Sequence, residues 1–255
     1  MAFAADDGDG STTRDLWVSA ADGSGVRRVL DCKDPCNQAD APAWSPDGRH
    51  LAYATLDANE DGVYNGRIDI LDLATGRTRT VATAPDDLHD FMWPRWSPDG
   101  RQLVAELQTW SERSFAADLT DTTLVTVDAS GRGGFRPIPG IPAWSTYPDW
   151  HPSKDLILFF SQPVEAGGGE PTNLYVVRPD GSGLHAITSF ALGDNRPVQP
   201  SWTPDGRRIM FALAKPDFGD WRMMTVRADG TGMASATAGE PLFGTHPRLQ
   251  PVPRR

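Results

Sequence analysis

The densest run of ligand-forming oxygens in the chain is Asp57-Ala58-Asn59-Glu60-Asp61-Gly62-Val63-Tyr64-Asn65. Oxygen side chains at alternate positions converge on one point. A glycine permits the sharp turn, and the next odd position offers a backbone carbonyl. Together these suit a hard cation such as calcium. The expected ligands are Asp57, Asn59, Asp61, the Val63 carbonyl and Asn65. An EF-hand would close with glutamate at its last position, which here is Ile68, and no flanking helices are expected. The alternative is a solvated acidic turn held by Asx hydrogen bonds. Asp6-Asp7-Gly8-Asp9-Gly10 is a weaker echo of the same pattern.

The remaining chemistry is sparser. The five histidines, His50, His89, His151, His185 and His246, show no metal-ligand spacing. His50, His151 and His185 fall on or beside regular turns and strands and read as structural. If the chain is an enzyme, His89 or His246 would serve as base, with Asp149 or Arg95 as partner. Asp87, Asp90 and Glu112 are neighbouring carboxylates, but glycoside hydrolysis needs a positioned pair, and none is evident. There is no Gly-x-Ser-x-Gly elbow, so serine-peptidase activity is not supported. Cys32 and Cys36 flank Lys-Asp-Pro. A small local disulfide would fit an extracytoplasmic setting, with two free thiols as the alternative; two cysteines make a poor zinc site.

The elements that must position these residues come in a repeat. Pro42-Ala43-Trp44, Pro94-Arg95-Trp96, Pro148-Asp149-Trp150, Pro200-Ser201-Trp202 and Pro247-Arg248-Leu249 recur about fifty residues apart, the period of a propeller or solenoid. Three tryptophans open a Ser/Thr-Pro-Asp-Gly turn at residues 45–48, 97–100 and 203–206, and His151-Pro152-Ser153-Lys154 is a worn copy. Proline presets φ and glycine accepts the left-handed turn, so each mark predicts a hairpin of strands A and B. A second hairpin, strands C and D, follows with Asp-Gly or Ser-Gly between alternating apolar residues. No helix is expected, because the apolar period is two. The tryptophans are expected to pack between blades.

This arrangement leaves the long, irregular connections on one face, where binding residues concentrate. The residues just before the prolines, Ala41, Trp93, Tyr147, Gln199 and His246, are expected at a central channel mouth. Trp110, Trp144, Phe115 and Arg248 would lie near them. The expected ligand-binding set is Trp93, Tyr147, Gln199, His246, Trp110, Trp144 and Arg248, suited to a protein, peptide or small molecule.

With 255 residues and 39% hydrophobic content, one domain over 1–255 can bury a sizeable core. A formal net charge of −10 argues against nucleic acid as a partner. No apolar run approaches the ~18 residues needed to span a bilayer, so no membrane insertion is expected. No leader is evident at the N-terminus. A monomer is expected.

The repeat resembles that of the TolB-like propeller family, a WD40-like repeat family. Leu174-Tyr175-Val176-Val177 through Asp180-Gly181-Ser182-Gly183 to Ile187-Thr188 is a close copy of the family hairpin, paired with the Trp-Ser-Pro-Asp-Gly turns. The resemblance implies an all-β propeller of four-stranded antiparallel blades; the five proline marks make this one a five-bladed β-propeller, a departure from the six-bladed ring of the family's namesake. Arg254-Arg255 followed by Met1-Ala2-Phe3-Ala4 is similar to residues 207–212, so the C-terminal strand is expected to complete the N-terminal blade and close the ring. It also implies a bacterial scaffold or binding module, periplasmic or extracellular, with the cytoplasm as the alternative. Propellers of this kind also occur in enzymes, so a hydrolase, lyase or cyclase with its site in the central funnel is the second expectation. The acidic loop is similar to the cation-binding hairpins of integrin-type propellers.

Overall fold

The period-two alternation becomes strands throughout, with no helix among the described residues. The computed structural model describes residues 1–5, 13–33, 36–58, 64–112, 118–161, 171–215 and 221–236. Two compact units divide the chain, Met1–Pro137 and Ile138–Arg254.

The first unit holds three antiparallel sheets. Strands β1 (Ala2–Ala5), β2 (Asp15–Val18) and β3 (Arg27–Leu30) make a three-stranded sheet. The next sheet is β4 (Cys36–Trp44), β5 (His50–Ala58), β6 (Tyr64–Asp72) and β7 (Thr78–Thr83), in chain order. The third is β8 (His89–Trp96), β9 (Gln102–Trp110), β10 (Leu119–Asp128) and β11 (Phe135–Pro137). In the second unit, β12 (Ser145–Trp150), β13 (Ile157–Ser161), β14 (Asn173–Val177) and β15 (His185–Ala186) form one sheet. A second consists of β16 (Arg196–Trp202), β17 (Arg208–Ala214), β18 (Trp221–Arg227) and β19 (Ala234–Ser235). The C-terminal strand expected to join β1 lies outside the described residues.

The turns explain why neighbouring strands pair in chain order. Between β8 and β9 the Ser97 hydroxyl donates to Asp99 and accepts from the Gln102 amide, while Asp99 accepts from the Arg101 amide. Ser45 and Asp47 repeat this between β4 and β5, and Thr203 and Asp205 between β16 and β17. Each C–D turn closes on an aspartate, which in two of them also accepts a turn hydroxyl, from Ser24 or Thr231. Asp22, Asp72, Asp128, Asp180 and Asp229 each accept the amide two residues on. Both are Asx-type closures that satisfy turn amides locally.

The cores lie between successive sheets. Leu16, Val18, Leu51, Tyr53 and Leu71 are buried together with Trp44 packed against them. Ile68, Ile70, Phe91, Leu103, Val125 and Val127 form the next layer, with Trp96 against it. In the second unit Leu158, Phe160, Leu174, Val198, Ile209, Phe211 and Trp202 make the equivalent layer. Trp96 also donates its indole N–H to the Ala43 carbonyl of the preceding sheet, at 3.1 Å. The recurrent tryptophans are thus packing residues. Adjacent residues such as Leu103 and Val104 are both fully buried, so this sheet is covered on its two faces.

Candidate functional site

Proline cannot donate to a sheet ladder, and in β4, β8, β12 and β16, the inner strands, each the first strand and an edge of its sheet, it sits in a bulge. The register breaks there four times: between Asp40 and Ala43, Met92 and Arg95, Thr146 and Asp149, and Val198 and Ser201. At each break the residue before the proline is left-handed, with φ of 51° at Ala41, 53° at Trp93, 49° at Tyr147 and 53° at Gln199. Trp144, at 57°, completes the non-glycine residues of positive φ among the described residues. This backbone costs a residue with a Cβ roughly 1–2 kcal/mol, and such strain persists where surrounding structure enforces it, often at functional sites.

Each bulge re-aims one side chain. Each lies three residues before the tryptophan that ends its inner strand, or roughly 10 Å of strand from the turn. Ala41 is buried, whereas Trp93, Tyr147 and Gln199 are half-buried. The Tyr147 ring stacks on Phe160, with centroids 5.7 Å apart.

The other expected site residues are placed as follows. In the first unit Arg95 is buried and donates to the Pro94 carbonyl. Trp110 ends β9, half-buried. His89 begins β8, and its Nδ1 lies 2.6 Å from an Asp86 carboxylate oxygen. Six residues of strand, roughly 20 Å, separate His89 from Arg95, so they do not converge on one reacting centre. In the second unit Asp149 accepts a 2.7 Å hydrogen bond from the Trp202 amide, which ties β12 to β16. Its carboxylate is therefore engaged in joining sheets. Trp144 precedes β12, half-buried. His246, Arg248 and Phe115 lie outside the described residues. So do Asn59, Asp61 and Val63 and the side chains of Asp57 and Asn65. Among the described residues no group of three or more His, Cys, Asp or Glu side chains could hold a metal.

The sulfurs of Cys32 and Cys36 lie 1.98 Å apart. Cys32 is buried, and its amide donates to Asp15, which also receives Arg28 at 2.9 Å.

Sequence reasoning missed a layer of buried charge. Asp69 accepts from Thr55 at 2.8 Å and from Thr80 at 2.6 Å, with Arg67 at 3.5 Å. Burial, and secondarily the Asp69 charge, push the Tyr53 hydroxyl well above its ordinary value. Glu106 is buried and accepts from the Gln108 amide group at 2.7 Å, on the strand beside Asp90, itself buried. At Gly66 a Cβ would stand 2.7 Å from the Asp90 Cα, so β6 and β8 meet there backbone to backbone. Alternating polar residues in a strand ordinarily signal a wet face. A sheet covered on two faces buries them instead, and only the polar residue types offered a hint.

A cleft of about 710 Å³ in the first unit opens elsewhere, among the A–B turns, lined by Ser45, Asp47, His50, Trp96, Asp99 and Arg101. The hydroxyls of Ser45 and Ser97 hold the Asp47 and Asp99 carboxyls below the usual range. Those carboxylates are already engaged in closing their turns.

The repeat and its geometry have counterparts among known proteins. The family model of the TolB beta propeller domain matches residues 1–241. A Tol-Pal system protein TolB from Methylococcus capsulatus is 33% identical over 86 residues, 33% of this chain and 18% of that protein. The chain therefore matches less than a fifth of that relative's length. Among solved structures, TolB from Acinetobacter baumannii superposes with a TM-score of 0.64 at 18% identity, covering 92% of this chain and 52% of the other. An oligogalacturonate lyase from Vibrio parahaemolyticus gives 0.62 at 18% identity, covering 92% and 61%. At such identities the likeness shows the fold alone.

Proposed function

Because the chain belongs to the TolB beta propeller domain family, we propose that it is a non-catalytic binding module. It holds a protein or peptide segment on the side chains of its bulge layer. The observation that carries this reading is the recurrence of a left-handed residue before each described inner-strand proline, at Ala41, Trp93, Tyr147 and Gln199. Four copies of a locally unfavourable conformation recur at places where glycine would adopt the same backbone without strain. What they gain is a re-aimed side chain, and two of the four are aromatics of the kind that anchor interfaces. Protein partners also suit a family whose curated relatives carry the name Tol-Pal system protein. The enzyme alternative has less support, since Asp149 holds the Trp202 amide and six residues of strand separate His89 from Arg95.

Peptides selected from a displayed library against the immobilised chain test the reading. Trp93→Ala and Gln199→Ala should each weaken the selected peptides at least tenfold, about 1.4 kcal/mol. Peptides that bind both variants as well as the parent chain would refute it.

Three further elements belong to the proposal. The five sheets close into a five-bladed ring, with residues 247–255 supplying the strand beside β1; deleting 244–255 without lowering Tm would break that idea. Calcium occupies the loop at 57–65, on the strength of its oxygen spacing, and should raise Tm at millimolar concentration while chelator lowers it. An oxidising compartment, the periplasm or the cell exterior, suits the Cys32–Cys36 pair.

A further inference from the structure

The A–B turn of the β12–β15 sheet, His151-Pro152-Ser153-Lys154, departs from the Ser/Thr-Pro-Asp-Gly of its counterparts at three residues, and the first of them is a titratable imidazole. Where the others place Ser or Thr with Asp, this turn has His151, which is 2% exposed. Its Nδ1 accepts the backbone amides of Ser153 and Lys154, both at 3.1 Å. Its Nε2 is 3.2 Å from the Gly206 carbonyl in the β16–β17 turn of the next sheet. Its ring meets Trp202 edge-on, with centroids 4.7 Å apart. These contacts define one tautomer: Nδ1 bare, Nε2 protonated and donating. One imidazole thus closes its own turn and fastens the neighbouring sheet.

We propose that His151 is an acid-sensitive joint between the β12–β15 and β16–β19 sheets, the two strand sets that carry Tyr147 and Gln199. A proton added at Nδ1 would point a donor at two amide donors, so the turn must open and the contact with Gly206 and Trp202 must loosen. The charged groups on the elements that meet the ring are Lys154 and Asp155 on its own turn, Asp149 on β12, and Asp205, Arg207 and Arg208 at the β16–β17 turn. Asp149 is bonded to the Trp202 amide, and Asp205 to Thr203 and the Arg207 amide. Burial, and after it the Lys154 charge, hold the imidazole below its ordinary value. The unfolded chain therefore binds the proton more readily than the folded one. The stabilising contribution is complete above about pH 6.5 and is lost as the pH falls below it.

The test is Tm from pH 7.5 to pH 5 for the parent chain, for His151→Gln, and for a triple variant His151→Ser, Ser153→Asp, Lys154→Gly that restores the Ser-Pro-Asp-Gly turn. The parent should lose roughly 2–4 °C more than either variant over this interval. Superimposable profiles for the parent and the triple variant would overturn the proposal. A nitrogen-15 titration of the parent supplies a second readout that does not depend on a variant folding. The His151 ring should remain the neutral, Nε2-protonated tautomer at pH 6. A half-charged His151 at pH 6.5 would equally overturn it. The joint concerns stability and not peptide contact, so it can fail while the binding role of Trp93 and Gln199 stands.

Discussion

The turn rim and the bulge layer of the same sheets obey opposite rules. At three of the four described A–B turns the local preferences agree: proline, aspartate and glycine stand where turn geometry asks for them, and each aspartate is matched to an amide two residues on. Three residues before the tryptophans that end the inner strands, Trp93, Tyr147 and Gln199 adopt a backbone that favours glycine. Agreement across levels marks what makes a chain fold; its local violation marks where something besides folding is being selected. The rim is therefore scaffold. The bulge layer is the site proposed for the ligand.

The comparison is most exposed to a substitution at the rim. Gly206 has φ of 66°, and a Cβ there would stand 2.5 Å from the His151 ring. Gly206→Ala adds backbone strain to a collision, and should lower stability by about 3 kcal/mol in chemical denaturation. A change under 1 kcal/mol would mean the rim is more plastic than described.

In the bulge layer the sign should reverse. Gln199→Gly relieves a left-handed residue, offset by glycine's greater unfolded-state entropy, so stability should hold or rise by up to about 1 kcal/mol. Peptide binding should fall in the same protein. A clear loss of stability would make Gln199 a structural residue and erase the contrast.

The smallest effect per residue is acidification. Asp22, Asp72, Asp128, Asp180, Asp205 and Asp229 are each held below the ordinary carboxylate value, chiefly by hydrogen bonds from turn hydroxyls or amides. The folded chain binds these protons less readily than the unfolded one. Their stabilisation is present above about pH 4 and lost below it. Denaturation midpoints should therefore drop between pH 4 and pH 2.5, and replacing several of these residues with Asn should flatten the drop.

How much of this was legible follows from the same contrast. Pro-Asp-Gly and Asp-Gly turns announce themselves because their chemistry is local, and the strand order followed from them. The pre-proline positions were also marked by spacing, but their left-handed backbone was not. A residue before proline is ordinarily pushed toward extended conformations, and the inner-strand ladder reversed that preference here. Asp149 was expected as a catalytic partner if the chain is an enzyme, and its carboxylate holds the Trp202 amide on a strand about fifty residues on, a contact no local pattern encodes. Asp69 and Glu106 were missed because alternation cannot tell water from a second sheet.

The indole of Trp96 on the Ala43 carbonyl and the carboxylate of Asp149 on the Trp202 amide both fasten one sheet to the next in sequence. Fastenings of this kind make mechanical failure sequential. A pull applied to one end of either unit would strip its sheets one after another, in a staircase of rupture events instead of one collapse. Bulk of the resistance would come from the joint under tension at that moment, so the weakest neighbouring pair, and not the average one, sets how much force the unit withstands.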